Sequence, residues 1–271
     1  ILLNEYSSFP DCDIVLIALP VGARKNYLEK FAKNGNYIFS EKPFVMDLKS
    51  HEELLEMSQK FTCNYERIFY NTTQNIKNII SSQIFGKIKK ISIIEGGING
   101  KTGITKSSYR NDPKISGGFL RDSAGHTINQ LSFLFENISV NSANILWQEN
   151  FDLESKVVFD VNDKNSFSVD YTGTQISRVE PKTNIFFEDV ELEFNHQIPD
   201  SSFQISLGNS DKKFILEEKN HFASTFPQAY YLKWKDFINK ISSSQLFLTI
   251  HPCLSFSSWI SAAFALACWS L

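Results

Sequence analysis

The run Asp13-Ile14-Val15-Leu16-Ile17-Ala18-Leu19, closed by Pro20, constrains the fold of this chain more than any other stretch. It is short and almost wholly apolar, without the alternation of a half-exposed strand. A segment of this kind is stable as a strand covered on both faces, the position of a central strand in a parallel sheet. The next segments keep that rhythm. Lys25 to Asn34 reads as a helix with Tyr27, Leu28 and Phe31 on one side and Gly35 as its stop. Tyr37 to Ser40 is a second strand, and Leu48 to Lys60 a helix with Leu54, Leu55 and Met57 turned inward. Cys63 to Tyr70 returns to strand character. Strand, helix, strand, helix, strand is the order of a doubly wound parallel sheet.

The texture then changes. Asn75 to Ser82 is a short amphipathic helix, and Lys87 to Ile94 a strand. Alternating runs at Lys156–Val161, Ser166–Thr172, Asn184–Phe187, Val190–Phe194, Phe203–Leu207 and Lys213–Leu216 predict a large, mostly antiparallel sheet. Tyr230 to Ile241 and Leu254 to Trp269 read as closing helices. The chain therefore divides into two domains, 1–70 and 71–271, the first α/β and the second α+β.

Composition narrows the function classes. A net charge of −3 over 271 residues carries no basic footprint for nucleic acid. Cys12, Cys63, Cys253 and Cys268 form no CxxC pair, which argues against a zinc ribbon and a disulfide scaffold. The five histidines lack ligand spacing, so no metal site is expected. The sequons at Asn71 and Asn137 have no signal peptide beside them, and a cytoplasmic protein is the expectation. Pro252 to Leu271 carries no charge, but its serines favour a buried terminal helix over a membrane span.

Two stretches carry candidate chemistry. Gly96 to Thr102 imitates a phosphate loop, yet Glu95 stands where that pattern needs glycine, so a plain loop is the better account. Glu41-Lys42-Pro43 lies just past the carboxyl end of a parallel strand, where doubly wound sheets place ligands. Its lysine can stabilise a developing oxyanion or carry a proton, and the competing reading is a surface turn. From Gly117-Gly118 a helix begins. At about 100° per residue, Asp122, His126 and Asn129 fall within roughly 60° of one another. Leu120, Ala124, Ile128, Leu131 and Phe135 form the opposite, buried stripe. The polar face is either solvated or a site.

The Glu41-Lys42-Pro43 motif, the Ile84-Phe85-Gly86-Lys87-Ile88 entry into the large sheet and the Gly-Gly-x-Leu-x-Asp-x-x-x-His pattern occur together and in order. That set resembles the glucose–fructose oxidoreductase and inositol dehydrogenase family (Gfo/Idh/MocA), most strongly from Asp13 to Leu134. The resemblance implies an NAD- or NADP-dependent dehydrogenase or reductase acting on a sugar, cyclitol or nucleotide sugar. It implies a partial Rossmann domain, then an α+β domain whose sheet mediates homodimers or homotetramers. Carried over by residue, Lys42, Asp122 and His126 are catalytic: His126 as general base, Asp122 tuning it, Lys42 polarising the oxygen. Pro20, Glu41, Lys42 and Pro43 are placed against the cofactor, and Tyr109, Arg110 and Asn129 against the substrate. Partners beyond a sugar-like small molecule, such as nucleic acid or membrane, are not implied.

The chain departs from the pattern in three places. Arg24 replaces the histidine usual after the first of these strands, which would alter contacts to cofactor or substrate. Asn129 stands where an aspartate is frequent. The first βαβ unit and its glycine-rich turn, roughly 70 residues in this fold, have no counterpart before Ile1. A chain without that turn is expected to be inactive alone. A reading from another class, a non-catalytic sugar sensor, scaffold or inactive fragment, rests on this departure. Retention of all three catalytic candidates favours the enzyme.

Overall fold

The computed structural model describes residues 9, 11–96, 115, 119–148, 151–163, 166–208, 213–216 and 222–243. Tyr109, Arg110, the Gly117-Gly118 pair, the loop after Gly96 and the helix expected over Leu254–Trp269 lie outside them.

Three short strands, β1 (Ile14–Ile17), β2 (Tyr37–Ser40) and β3 (Phe61–Cys63), pair in parallel in that order. Between them run α1 (Lys25–Lys33) and α2 (Leu48–Met57). The expected βαβαβ succession is present. Leu28, Phe31, Ile38, Leu54 and Phe61 fill the space between sheet and helices. Gly35 ends α1 at φ +79°, a left-handed backbone that glycine adopts without strain. Asp47 caps α2 by accepting from the Ser50 amide at 2.8 Å.

The second sheet has eight strands: β4 (Lys90–Gly96), β5 (Ile138–Gln148), β6 (Phe151–Asn162), β7 (Ser166–Thr174), β8 (Lys182–Phe186), β9 (Val190–Phe194), β10 (Phe203–Leu207) and β11 (Lys213–Leu216). Their order is β11-β10-β9-β8-β4-β7-β6-β5. The β4–β7 pair is parallel and the other neighbours are antiparallel. One face is covered by α3 (Asn71–Ser82), α4 (Phe119–Asp122) and α5 (Ala124–Leu134). Ile76, Leu120, Ile128 and Leu131 from those helices meet Ile91, Phe159, Val169 and Leu192 of the sheet in one core. The other face carries charge pairs such as Lys90–Asp170 at 2.5 Å and Lys182–Glu193 at 3.2 Å. Finally α6 (Phe226–Ser242) returns to the smaller sheet, stacking Trp234 on Phe39 at 4.1 Å between ring centroids.

Several expectations need correction. Among the described strands β1 pairs with β2 alone, and its Leu16 is exposed. Met57, at the last turn of α2, is also exposed. Cys63–Tyr70 is not one strand: β3 stops at Cys63, and Glu66–Phe69 winds into a 3-10 turn. There the chain leaves the carboxyl edge of the small sheet, held by Asn64 donating to the Glu41 carboxylate at 2.8 Å. The next helix begins at Asn71, not Asn75, because distant carbonyls take its first amides: Asn71 donates to Ala223 O and Thr72 to Pro199 O. The stretch from Gly117 breaks at Ser123 into α4 and α5. Strand β5 has no counterpart in the sequence pattern, since an extra residue at Asn141 interrupts its period of two.

His51, on α2, is fully buried with its ring 5.1 Å from that of Phe44. Burial lowers its pKa from 6.5 to about 4. An imidazole with a depressed folded pKa stabilises the fold above the unfolded value and loses that contribution as pH falls through the folded one. Acid should therefore remove about 3 kcal/mol between pH 6.5 and pH 4 through this group alone. Denaturant unfolding of wild type and His51→Leu across that window should show a shallower pH slope in the variant. Parallel slopes would contradict it.

No helix of the described residues is long and apolar enough to cross a membrane.

Candidate active site

The carboxyl ends of β1 and β2 open toward α4 and α5, and the side chains of the site come from both sides of that gap. On the first side the chain leaves β2 into Glu41-Lys42-Pro43, with the Lys42–Pro43 peptide cis. The Glu41 amide donates to Ile17 O at 3.0 Å, fastening the turn to β1. Beneath it lies Arg24, only 2 % exposed. Its guanidinium donates to the carbonyls of Leu19, Glu41 and Pro43. The arginine thus holds together the carboxyl ends of both strands, the turn and Pro20, which caps a 3-10 turn over Val21–Ala23. In this structure the bonds of Arg24 are internal to the loop, its donors engaging backbone carbonyls. Burial, the largest influence, lowers its pKa, while Cys63 and Glu41 oppose that shift.

On the opposite side α4 is capped from the large sheet. Asp152 of β6 accepts from the Leu120 amide at 2.9 Å and from Ser155 Oγ at 3.1 Å. This satisfies one of the free amides of the helix start. Asp122, at the end of α4, meets Lys42 Nζ through Oδ1 at 3.1 Å and also through its backbone carbonyl. Both side chains are mostly buried, 16 % and 11 % exposed. One turn further, on α5, His126 stands edge-on to the Tyr65 ring, 5.9 Å between centroids. Burial, then Arg67, then Lys42 push the His126 pKa well below 6.5, so the imidazole is neutral at physiological pH.

Of the residues singled out from the sequence, Lys42 and Asp122 touch, and His126 feels the lysine's charge. Asn129 is buried one turn on, and its Oδ1 has no hydrogen-bond partner among the described residues. Pro20, Glu41 and Pro43 gather around Arg24 beside Lys42. The polar face is therefore packed against the small sheet's edge, not solvated.

Three residues were not anticipated. Glu66 and Arg67, on the 3-10 turn, border His126: Glu66 Oε2 is 3.6 Å from Nδ1. Burial raises the Glu66 pKa first of all, and Glu41 adds to it. Tyr230 of α6 belongs to the same group, since its phenol is pushed up by burial and then by Glu66 and Glu41. A signal for Glu66 and Arg67 was available: two charges directly after a strand's carboxyl end, the ligand edge of a parallel sheet. Nothing in the sequence pointed to Tyr230. No group of three or more metal-binding side chains occurs among the described residues.

Comparison with known proteins bears on this geometry. Residues 3–66 match the oxidoreductase family GFO_IDH_MocA, NAD-binding Rossmann fold. No curated protein matched. Among solved structures the chain is similar to a 3-ketoreductase from Actinomadura kijaniata in complex with NADP and TDP-benzene. The identity is 13 % over 94 % of this chain and 78 % of that one, with a TM-score of 0.79. It is also similar to aldose-aldose oxidoreductase from Caulobacter crescentus, complexed with glycerol: 14 % identity, 97 % and 79 % covered, TM-score 0.80. A third is an inositol dehydrogenase homolog from Azotobacter vinelandii complexed with NAD+, at 13 % identity, 95 % and 76 % covered, TM-score 0.76. At such identities the structures speak to the fold, and the fold is theirs: a parallel Rossmann-like sheet followed by a large, mostly antiparallel one.

Proposed function

We propose that this chain, whose opening residues match the Gfo/Idh/MocA family of NAD-binding oxidoreductases, acts in hydride exchange between a nicotinamide coenzyme and a sugar-like alcohol. The substrate class is a sugar, cyclitol or nucleotide sugar, and the coenzyme NAD or NADP. In this reading residues 1–70 form part of the coenzyme domain and 71–271 the substrate domain, and copies associate through the open face of the eight-stranded sheet.

The observation that carries the reading is the meeting of Lys42 and Asp122 across the gap, 3.1 Å apart, with a neutral imidazole one turn away. A cation held at a fixed point by a carboxylate stabilises charge growing on an alcohol oxygen. A neutral imidazole beside it accepts the hydroxyl proton in oxidation and, once protonated, returns it in reduction. The lysine keeps its neighbour uncharged: its positive charge is one reason that His126 sits below its usual range. The surroundings also fit a polar ligand. His126 Nδ1, Glu66 Oε2, Arg67 Nη1 and Asn129 Oδ1 are buried atoms without a hydrogen-bond partner among the described residues, and hydroxyl groups supply partners for such atoms. When bound, a nicotinamide coenzyme supplies the hydride acceptor or donor; Pro20, Glu41 and Pro43, at the turn beside Lys42, would line it.

The test is a coenzyme-by-substrate screen of the full-length gene product, following nicotinamide absorbance with NAD+ and NADP+ against a panel of sugars, cyclitols and nucleotide sugars. Turnover with at least one pair is expected. Sugar binding by calorimetry with no turnover for either coenzyme would overturn the reading in favour of a non-catalytic binding protein.

A further inference from the structure

Glu66 takes no part in the chemistry assigned to Lys42, Asp122 and His126, yet it is closely set against the imidazole. It is a glutamate 4 % exposed, on a 3-10 turn whose register puts its carboxyl toward α5. Its Oε2 and His126 Nδ1 are each buried without a hydrogen-bond partner among the described residues, and they stand 3.6 Å apart. That is beyond a formed hydrogen bond, but two orphaned polar atoms facing each other away from solvent need only a few tenths of an ångström to close. Catalytic hydrogen bonds are commonly long in the ligand-free state and tighten when substrate arrives. The Tyr65 ring, edge-on to His126, walls the pair from one side.

We propose that Glu66 is a positioning residue for His126: its carboxylate fixes the proton on Nδ1, leaves the Nε2 lone pair for the substrate hydroxyl, and takes up the Nδ1 proton during oxidation. The inference rests on the hydride-transfer reading above. The proton count closes. In oxidation the carbon's hydride passes to the oxidised nicotinamide, the hydroxyl proton binds His126 Nε2, and the Nδ1 proton moves to Glu66 Oε2. The products are a carbonyl, a neutral imidazole and a protonated glutamic acid, and reduction runs the same steps backward. The charged groups facing the pair suit this traffic. Arg67 and Lys42 disfavour a positive charge on the imidazole, so a proton arriving there is passed on. Burial and Glu41 make Glu66 a readier proton acceptor than an ordinary carboxylate. Asp122, on the helix just before His126, is already engaged by Lys42.

The experiment is nitrogen NMR of the imidazole in coenzyme-free protein, wild type against Glu66→Gln, with near-ultraviolet circular dichroism to verify that the variant is folded. Wild type should show the Nδ1–H tautomer of His126, and the variant should lose that preference. Rescue is expected in Glu66→Asp at least in part. In turnover, E66Q should fall by about 10-fold to 100-fold in kcat with little change in KM. A wild-type imidazole protonated on Nε2, or the same tautomer in folded E66Q, would overturn the proposal. Because the tautomer is read without coenzyme or substrate, a correct tautomer in a protein that turns over nothing would refute the hydride-transfer reading and leave the Glu66–His126 pairing standing.

Discussion

Replacing Lys42 by methionine should lower kcat by a factor on the order of 100 to 10,000, the scale of losing a group that handles charge or protons in the transition state. Methionine keeps most of the stem's packing and removes the ammonium that Asp122 holds at 3.1 Å. The single variant should also be less stable, because a largely buried carboxylate loses its cation. That loss separates two interpretations. If the pair were only a structural strut, Lys42→Met with Asp122→Asn would restore both the melting temperature and the rate. If Lys42 acts on the substrate oxygen, the double variant recovers stability and stays slow. Steady-state kinetics and thermal unfolding of the two singles and the double decide it.

The second large effect is on stability and comes from Glu95 of β4. This carboxylate is fully buried, yet it meets four donors: Tyr171 OH at 2.8 Å on one oxygen, and Thr127 Oγ1, Gln197 Nε2 and His196 Nε2 at 2.8, 2.8 and 3.1 Å on the other. Burial alone would push its pKa up. The hydrogen bond and charge of His196, then Arg67 and Tyr171, outweigh burial and hold it down to about 2. Glu95→Ala should cost about 3–5 kcal/mol, since it strands several buried donors at once. A fall in Tm on the order of 10 °C is the corresponding signal. The pH dependence has a definite sign. A carboxyl with a lowered folded pKa contributes stability above its unfolded value, so the difference between wild type and variant should shrink as pH falls from about 4.5 toward 2. A constant difference across that range would contradict an ionised Glu95. The consequence reaches the site, because Thr127 follows His126 on α5: the bond from Thr127 to Glu95 ties the helix that carries the imidazole to the sheet below it.

Much of the architecture was legible because it is written in local pattern. The apolar run before Pro20, the amphipathic helices and the alternating strands between Ser166 and Phe194 each satisfy a spacing rule that tertiary structure does not override. The errors fall where distant partners decide. Asn64 to Phe69 has the aromatic and β-branched content of a strand, but its path is set by the Glu41 carboxylate and by the need to leave the sheet edge. The first turn of α3 exists because Ala223 and Pro199, more than a hundred residues away, take its amides.

The site divides in the same way. Asp122, His126 and Asn129 share a helical face by spacing alone, but the arrival of Lys42 beside Asp122 is an event of tertiary structure, anticipated only through the family resemblance. Arg24 and Glu95 stood out only as departures from a pattern, and Glu66 only by its place after a strand's carboxyl end; the partners of all three were not legible. Nothing local distinguishes a charged side chain destined for solvent from one destined to tie carbonyls, face an imidazole or gather four donors.

The most direct test of the central claim is a crystal structure of the full-length protein with its nicotinamide coenzyme and a substrate found by turnover. The reacting oxygen should lie about 3 Å from Lys42 Nζ and from His126 Nε2, with the carbon that gives up hydride facing the nicotinamide. A productive complex in which that oxygen meets neither residue would contradict the assignment.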